Sequence, residues 1–264
     1  MKERVITAIC LLIVVLPIIY FGGYLFLGLG LVAVAIAIFE MFAMHDKEKT
    51  VPIWIKLLTF AGILYVVFFP TFFESNLYDA DIVGCIIALI LLSINRKRMN
   101  SNELNIRLYP IMIFYLGLSF RALLQIRTNS LALFIFLVVT VILTDSGAYF
   151  AGRFFGKRKL APKLSPKKTV EGAIGGFLIG LIFALLFGIN QQLFAQTWTL
   201  ILLSISIPIL SQLGDLTASA FKRGYGIKDY GKIFPGHGGV MDRVDSQLLA
   251  AVLIYLIMLS GGIS

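Results

Sequence analysis

Long apolar runs make up most of the chain, and short segments with charges, glycines or other turn residues separate them. A helix that crosses the hydrocarbon core of a bilayer needs about 20 largely apolar residues. Nine runs are close to this length. They predict nine membrane-spanning helices: Val5–Phe21, Tyr24–Ala43, Ile53–Phe73, Ile82–Ile94, Leu108–Ile126, Leu131–Ala151, Val170–Ile189, Trp198–Ala220 and Ser246–Ile263. The predicted fold class is an all-α, polytopic integral membrane protein.

The composition excludes several other classes of protein. Hydrophobic residues make up 59% of the 264 positions and charged residues 14%, against roughly 25% charged residues in soluble domains. Disordered chains and coiled coils need more charge or a heptad pattern, and disulfide-stapled modules need more than the two cysteines present. The net charge of +9 is explained by bases retained on the cytosolic side of a membrane, so we expect no nucleic acid partner.

The distribution of charge predicts the topology. If the N-terminus is cytosolic and nine helices span the membrane, all but two of the 23 Lys and Arg residues fall on the inner side, the exceptions being Arg121 and Arg127. This asymmetry is what the positive-inside rule predicts for a multi-pass protein of the plasma membrane. We expect one membrane domain over residues 1–264, with spans one to five (1–130) as scaffold and spans six to nine (131–264) carrying the active site.

The first polar segment of interest joins spans six and seven. Asp145 lies within an apolar run, where a carboxylate costs about 2.5 to 3.5 kcal/mol, so it should face a partner, a metal or a wet cavity. Residues 165–169 end at a predicted helix N-terminus, where backbone N–H groups and the helix dipole favour an anion such as a triphosphate. Lys167, Lys168 and Thr169 add donors. The alternative is a solvated inner loop. Glycines at four-residue spacing predict a close-packing helix face: Gly172, Gly176 and Gly180.

The second polar segment joins spans eight and nine and contains three carboxylates at two adjacent helix ends: Asp215, Asp242 and Asp245. Such carboxylates predict a site for Mg²⁺, which proteins hold through one or two carboxylates together with substrate phosphates. Ser219, Lys222 and Arg223 share a helix face with Asp215. Between the carboxylates, residues 235–239 predict a tight turn whose N–H groups can approach a phosphate. The alternative is an ion-paired loop at the membrane surface.

These two segments resemble the phosphatidate cytidylyltransferases, the CDP-diacylglycerol synthases of bacteria. The resemblance is carried by Ser219-x-Phe-Lys-Arg223, Lys228-Asp-x-Gly231 and Phe234-Pro-x-His-Gly-Gly-Val-x-Asp-Arg-Val-Asp245, and upstream by Asp145-Ser-Gly-Ala-Tyr-Phe, Gly152-Arg153 and Ser165-Pro-Lys-Lys-Thr-x-Glu-Gly172. Ser146 stands where threonine is expected, and both residues supply a hydroxyl. The resemblance implies an enzyme that uses CTP and phosphatidic acid from the inner leaflet, requires Mg²⁺ and forms a homodimer.

Roles for individual residues follow from this resemblance and from the charge of both substrates. We expect Asp215 and Asp242 to bind metal, with Asp245 and Asp145 as further ligands or orienting groups, while the number of cations stays open. Phosphates would be neutralised by Lys222, Arg223, Lys228 and Arg243, and the triphosphate tail would be held by Lys167, Lys168 and Thr169. Further expected substrate contacts are Ser165, Glu171, Ser219, His237, Gly238 and Gly239. A CTP-dependent polyprenol kinase and an anion transporter are the alternative functions.

Overall fold

The computed structural model of the chain describes residues 2–46, 52–73, 108–236 and 238–261, and these are mainly helical. In this part of the chain there are eight helices and one two-stranded hairpin. The elements are α1 (Lys2–Phe21), α2 (Gly23–Asp46), α3 (Ile53–Phe73), α4 (Leu108–Asn129), α5 (Leu131–Phe155), β1 (Lys159–Ala161), β2 (Ser165–Thr169), α6 (Val170–Asn190), α7 (Thr197–Gly224) and α8 (Met241–Leu259).

The helical membrane fold predicted from the apolar runs is confirmed. Seven of the nine predicted helices lie wholly within the described ranges and are helical there. The helix predicted over Ser246–Ile263 is described as far as residue 261 and ends at Leu259, and the helix predicted over Ile82–Ile94 lies outside the described residues. Among the described residues, five helices are long and apolar enough to span a bilayer. The largest shift of a boundary is in the last helix, which begins at Met241 rather than at Ser246. The count of nine spans and the orientation of the N-terminus stay predictions.

Two compact units divide the chain. One consists of Met1–Gly23 together with Gln125–Ser264, and the other of Tyr24–Leu124. The second unit has a core of fully buried apolar side chains, among them Ile38, Ile63, Ile113 and Leu116. The first unit contains α1 together with α5 to α8. Every described residue of the predicted site belongs to this unit.

Helix α1 is joined to the rest of the first unit at both of its ends. Near its C-terminus, Arg127 donates from Nε to the Ile19 carbonyl at 2.6 Å and from Nη2 to the Tyr20 carbonyl at 2.9 Å. A cation at these carbonyls complements the negative end of the helix dipole. Near its N-terminus, the Thr7 hydroxyl donates to the Pro235 carbonyl at 3.4 Å. Helix α1 thus contacts the loop between α7 and α8.

Helices α5 and α6 pack closely through the glycine face that the sequence predicted. A Cβ atom added to Gly172 would lie 2.7 Å from the Ala148 carbonyl oxygen, and one added to Gly176 would lie 2.5 Å from that of Thr144. Larger residues at these positions would force the two backbones apart. The close-packing face is therefore confirmed, and it sets the position of the hairpin between the two helices.

Candidate active site

The basic residues between α5 and α6 lie on a short β-hairpin. Strand β2 pairs antiparallel with β1, with Lys159 opposite Thr169 and Ala161 opposite Ser165. At the end of β2, Thr169 becomes the N-cap of α6, because its hydroxyl oxygen accepts a hydrogen bond from the Gly172 N–H at 3.1 Å. The predicted helix start at Val170 is confirmed. The strands before it were not predicted.

Glu171 fastens the start of this hairpin to the first turn of α6. Its carboxylate accepts hydrogen bonds from the backbone N–H of Lys157 at 2.9 Å and of Arg158 at 3.2 Å. A carboxylate in the first turn is also favoured by the helix dipole. In the structure the Glu171 carboxylate thus positions the segment that leads into β1, and the expected contact with substrate stays a prediction.

A cavity of about 480 Å³ lies beside the hairpin, between α5, α6 and α7. Five residues that the sequence singled out line it together: Asp145, Lys167, Lys168, Thr169 and Asp215. Asp145 is exposed to this space although it lies within an apolar helix. The expectation that its carboxylate faces a partner or a wet cavity agrees with this placement.

The polar wall of the cavity is organised around Lys168. Its Nζ lies 2.6 Å from Asp215 Oδ2, and both side chains are more than a quarter exposed. Asp215 Oδ1 also accepts a weak hydrogen bond from the Ser219 hydroxyl at 3.4 Å. Asp145 interacts electrostatically with both members of this ion pair. Lys168 therefore pairs with one of the two carboxylates that face the cavity and attracts the other.

Behind this wall lies a second ion-paired group, formed by Lys222, Asp242 and Asp245, which we call the buried cluster. Lys222 Nζ lies 2.9 Å from Asp242 Oδ1 and 3.5 Å from Asp245 Oδ2. The three side chains are only 10%, 4% and 10% exposed. Asp245 Oδ1 also accepts from the Ser246 N–H at 2.8 Å. Because Lys222 also interacts electrostatically with Asp215, the buried cluster is coupled to the cavity wall.

Asp242 connects the buried cluster to the loop between α7 and α8. Its Oδ2 accepts hydrogen bonds from the Tyr230 N–H at 2.8 Å and the Gly239 N–H at 3.0 Å. Within this loop, Phe234 and Gly238 exchange backbone hydrogen bonds of 2.9 and 3.1 Å, which closes the predicted tight turn. Gly238 has a φ of +84°, and a Cβ there would lie 2.7 Å from Asp242 Oδ2, so glycine is needed at this position.

The loop differs from the sequence-based expectation in one respect. The N–H groups of Gly238 and Gly239 were expected to be free for a phosphate, but they donate to Phe234 and to Asp242. Three predicted phosphate-binding bases of this region are exposed: Arg223, Lys228 and Arg243. Arg223 donates from Nη1 to the Ile227 carbonyl at 2.8 Å. His237 lies outside the described residues.

Three polar residues of the cavity were given no role in the sequence analysis: Tyr149, Arg153 and Gln212. Tyr149 and Arg153 lie within the motifs that carry the family resemblance. Tyr149 and Arg153 follow Asp145 at intervals of four residues, so all three share a face of α5. This spacing was available as a signal. Gln212 offered none, since its place in the cavity depends on the packing of α7 against α6, where its Nε2 donates to the Ala173 carbonyl at 3.2 Å.

Comparison with known proteins agrees with the resemblance that the motifs of this site indicate. The sequence model described as the cytidylyltransferase family matches residues 2–260. The chain belongs to this family. Similar curated proteins named phosphatidate cytidylyltransferase include one from Staphylococcus saprophyticus, 35% identical over 262 residues, which are 98% of this chain and 99% of the relative. Another, from Bacillus subtilis, is 34% identical over 266 residues, covering 98% and 97%. The family resemblance stated from the motifs is confirmed.

The carboxylates around the cavity are suited to a divalent cation. Four of them interact electrostatically with one another and with Lys168 or Lys222: Asp145, Asp215, Asp242 and Asp245. Oxygen ligands of this kind are those that Mg²⁺ prefers. Among the described residues, no three acidic, histidine or cysteine side chains converge as a ready-made metal site. The carboxylate oxygens are compatible with an ion that also takes ligands from a bound phosphate.

Proposed function

We propose that the chain transfers the cytidylyl group of CTP to phosphatidic acid, which gives CDP-diacylglycerol and pyrophosphate. The observation that carries this proposal is the match of the cytidylyltransferase family over residues 2–260, joined by near-full-length relatives named phosphatidate cytidylyltransferase. The cavity supports it, because cationic and anionic side chains converge there at the ends of apolar helices. Such a location suits one water-soluble and one lipid substrate.

The reaction needs little acid–base chemistry from the protein. The phosphate monoester of phosphatidic acid is already anionic at neutral pH, so its oxygen can attack the α-phosphorus of CTP without a base. A bond forms between that oxygen and the α-phosphorus, and the bond from the α-phosphorus to the bridging oxygen breaks, so that pyrophosphate leaves. The protein must hold the two anions in line and cancel their charge.

The hairpin provides the cations for CTP in this proposal. Lys167 and Lys168 line the cavity from β2, and Thr169 lies at the N-terminus of α6, where phosphate groups are favoured. Lys168 pairs with Asp215 in the structure, and it would turn from this carboxylate towards the triphosphate. The exposed bases Arg223, Lys228 and Arg243 would neutralise further phosphate charge, with Lys222 acting from the buried cluster.

We propose Asp215, Asp242 and Asp245 as the residues that hold Mg²⁺, with Asp145 as a further ligand or orienting group. Asp215 and Asp145 line the cavity, and the buried cluster, which contains Asp242 and Asp245, lies behind Asp215. When bound, the ion supplies positive charge that stabilises the negative charge developing on the phosphates. The chain's own residues position the two substrates whether or not the ion is bound.

The decisive assay follows the label of α-³²P-CTP incubated with the purified protein, phosphatidic acid and Mg²⁺. The proposal predicts that label enters the lipid fraction and that pyrophosphate is released. Recovery of the label as CDP would instead indicate transfer of the γ-phosphoryl group, as in a lipid kinase. Label that stays in CTP would contradict both enzymatic functions and leave anion transport as the remaining alternative function.

We further propose that the active site faces the cytosol in the plasma membrane and that the chain forms a homodimer. The connections at 156–169 and 191–196 lie at opposite ends of α6, and Lys163 and Gln192 are exposed. In a chain without Cys10 and Cys85, an impermeant thiol reagent added to intact cells should label Gln192→Cys and leave Lys163→Cys unlabelled. The reverse pattern would contradict the orientation, and a monomeric mass in native membranes would contradict the dimer.

A further inference from the structure

Two residues of the cavity wall have no part in the function proposed above. Tyr149 and Arg153 lie four residues apart on α5, and both line the cavity that contains Asp145 and Asp215. Arg153 donates from Nη1 to the Tyr149 hydroxyl at 3.3 Å. The tyrosine therefore orients the guanidinium at the edge of the cavity, on the wall next to the carboxylates.

Arg153, like Lys167, differs from the ion-paired lysines of the site in its partners. Lys168 and Lys222 are both paired with carboxylates. In the part of the chain that the structure describes, Arg153 is within ion-pair distance of no carboxylate, and its one side-chain hydrogen bond is to a neutral hydroxyl. Its charge therefore has no ion-pair partner among the described residues. A guanidinium also has a planar fork of donors that matches two phosphate oxygens at once.

The surroundings of Arg153 indicate from which side its ligand arrives. The last two turns of α5 expose four aromatic side chains: Tyr149, Phe150, Phe154 and Phe155. In membrane proteins, aromatic side chains collect at the level of the lipid headgroups, where long basic side chains also reach the interface. The lining of the same cavity is apolar at Ala148, Leu160 and Ala173. This rim of the cavity is thus suited to a lipid with a phosphate headgroup.

We infer that Arg153, oriented by Tyr149, binds the phosphate of phosphatidic acid as the lipid enters the cavity from the bilayer. This inference rests on the proposed function. It divides one cavity between two anions, with the lipid phosphate on the α5 side and the CTP triphosphate on the β2 side, where Lys167 and Lys168 lie. Separate groups of cations for the two anionic reactants would allow them to be aligned for an in-line displacement.

Two other roles for Arg153 make different predictions. A base in the last turn of a helix interacts favourably with the helix dipole, and in that role its loss would lower stability without changing either substrate's KM. A contact with CTP would raise the KM for CTP. Separate kinetics for the two substrates, together with thermal unfolding, distinguish these roles from binding of the lipid phosphate.

The test compares Arg153→Gln with Arg158→Gln, a matched loss of an exposed arginine that lies on the same segment and does not line the cavity. Rates are measured in mixed micelles while either dioleoyl phosphatidate or CTP is varied. We expect Arg153→Gln to raise the KM for phosphatidate at least about tenfold and to leave the KM for CTP within about twofold. Arg158→Gln should match the parent in both, and Tyr149→Phe should give a smaller rise for phosphatidate.

A binding measurement without CTP separates this inference from the proposed function. Dioleoyl phosphatidate should raise the unfolding midpoint of the parent more than dioleoylglycerol does, and Arg153→Gln should lose that difference. An unchanged KM for phosphatidate, a rise confined to the KM for CTP, or an undiminished lipid-induced shift would each overturn the role of Arg153. A parent that binds phosphatidate through Arg153 but transfers no label from CTP would contradict the proposed function alone.

Discussion

The hairpin and the buried cluster carry the same kinds of charge in opposite settings. On the hairpin, Lys167 and Lys168 line an open cavity, and the Lys168–Asp215 pair is more than a quarter exposed. In the buried cluster, Lys222 is enclosed with Asp242 and Asp245, and every one of these side chains is at most one-tenth exposed. Exposed ion pairs contribute little to stability, whereas breaking a buried pair is strongly destabilising.

This difference assigns different tasks to the two regions. The hairpin can exchange its protein partners for a substrate because little free energy is lost when Lys168 leaves Asp215. The buried cluster holds its groups in place, and through Asp242 it also fixes the backbone of Tyr230 and Gly239. We therefore expect substitutions in the hairpin to change substrate binding and substitutions in the buried cluster to change stability as well.

The largest effect on rate is expected at the carboxylates. If Asp215 and Asp242 jointly hold Mg²⁺, replacing either by Asn removes the charge that a hard cation needs, and activity should fall at least about a hundredfold, roughly 2.7 kcal/mol. The double variant should be little worse than either single one, since the two groups act as a unit. Initial rates against Mg²⁺ concentration measure this effect.

Unfolding midpoints provide the control for these variants, and they also distinguish Asp215 on the cavity wall from Asp242 in the buried cluster. Asp215→Asn should keep the parental midpoint. Asp242→Asn should lower it, because Lys222 then loses one of its two buried partners. Near-parental rates in a folded Asp215→Asn or Asp242→Asn protein would remove that residue from the metal site and pass its role to Asp245 or Asp145.

A smaller effect is expected at Arg223, which is exposed at the end of α7. Lysine keeps the charge but lacks the forked donors that hold two phosphate oxygens together. Arg223→Lys should therefore lose about tenfold in kcat/KM, measured at saturating phosphatidate, with an unchanged unfolding midpoint. A variant that turns over CTP like the parent would make Arg223 an ordinary base of the inner face.

The smallest effect is expected at Glu171, which acts on the hairpin through the backbone. Glutamine keeps one acceptor oxygen for the N–H groups of Lys157 and Arg158 but loses the charge that strengthens these bonds. Glu171→Gln should raise the KM for CTP about threefold and leave the KM for phosphatidate unchanged. Equal changes in both constants would show that Glu171 does more than position the hairpin.

The apolar pattern predicted the helices because a bilayer demands one length and one composition of each span. The four-residue spacing of glycines likewise predicted how α5 and α6 pack. The hairpin was not predictable in this way, since its strands comprise three and five residues and depend on the helices that flank them. The motifs singled out the charged residues as a set, but they could not separate Lys168 on the cavity from Lys222 in the buried cluster.

The same limit applies to individual roles within the motifs. Glu171 lies beside the predicted anion site in sequence, yet its carboxylate binds backbone N–H groups that precede it by 13 and 14 residues. Asp242 lies close to Asp245 in the motif, but its carboxylate accepts a hydrogen bond from the backbone N–H of Tyr230, twelve positions earlier in the chain. Contacts of this kind depend on how the loop closes, which residue types and spacing do not determine.

The most direct test of the division between the two regions is the matched pair Lys168→Gln and Lys222→Gln. Each variant removes one ammonium group from carboxylate partners, and the unfolding midpoint and the KM for CTP are measured for both. We predict that Lys168→Gln raises the KM for CTP at least about tenfold with an unchanged midpoint, and that Lys222→Gln is destabilised by about 3 kcal/mol because two buried carboxylates lose their counter-charge. A stable Lys222→Gln protein, or a Lys168→Gln protein that unfolds early and binds CTP like the parent, would contradict this account.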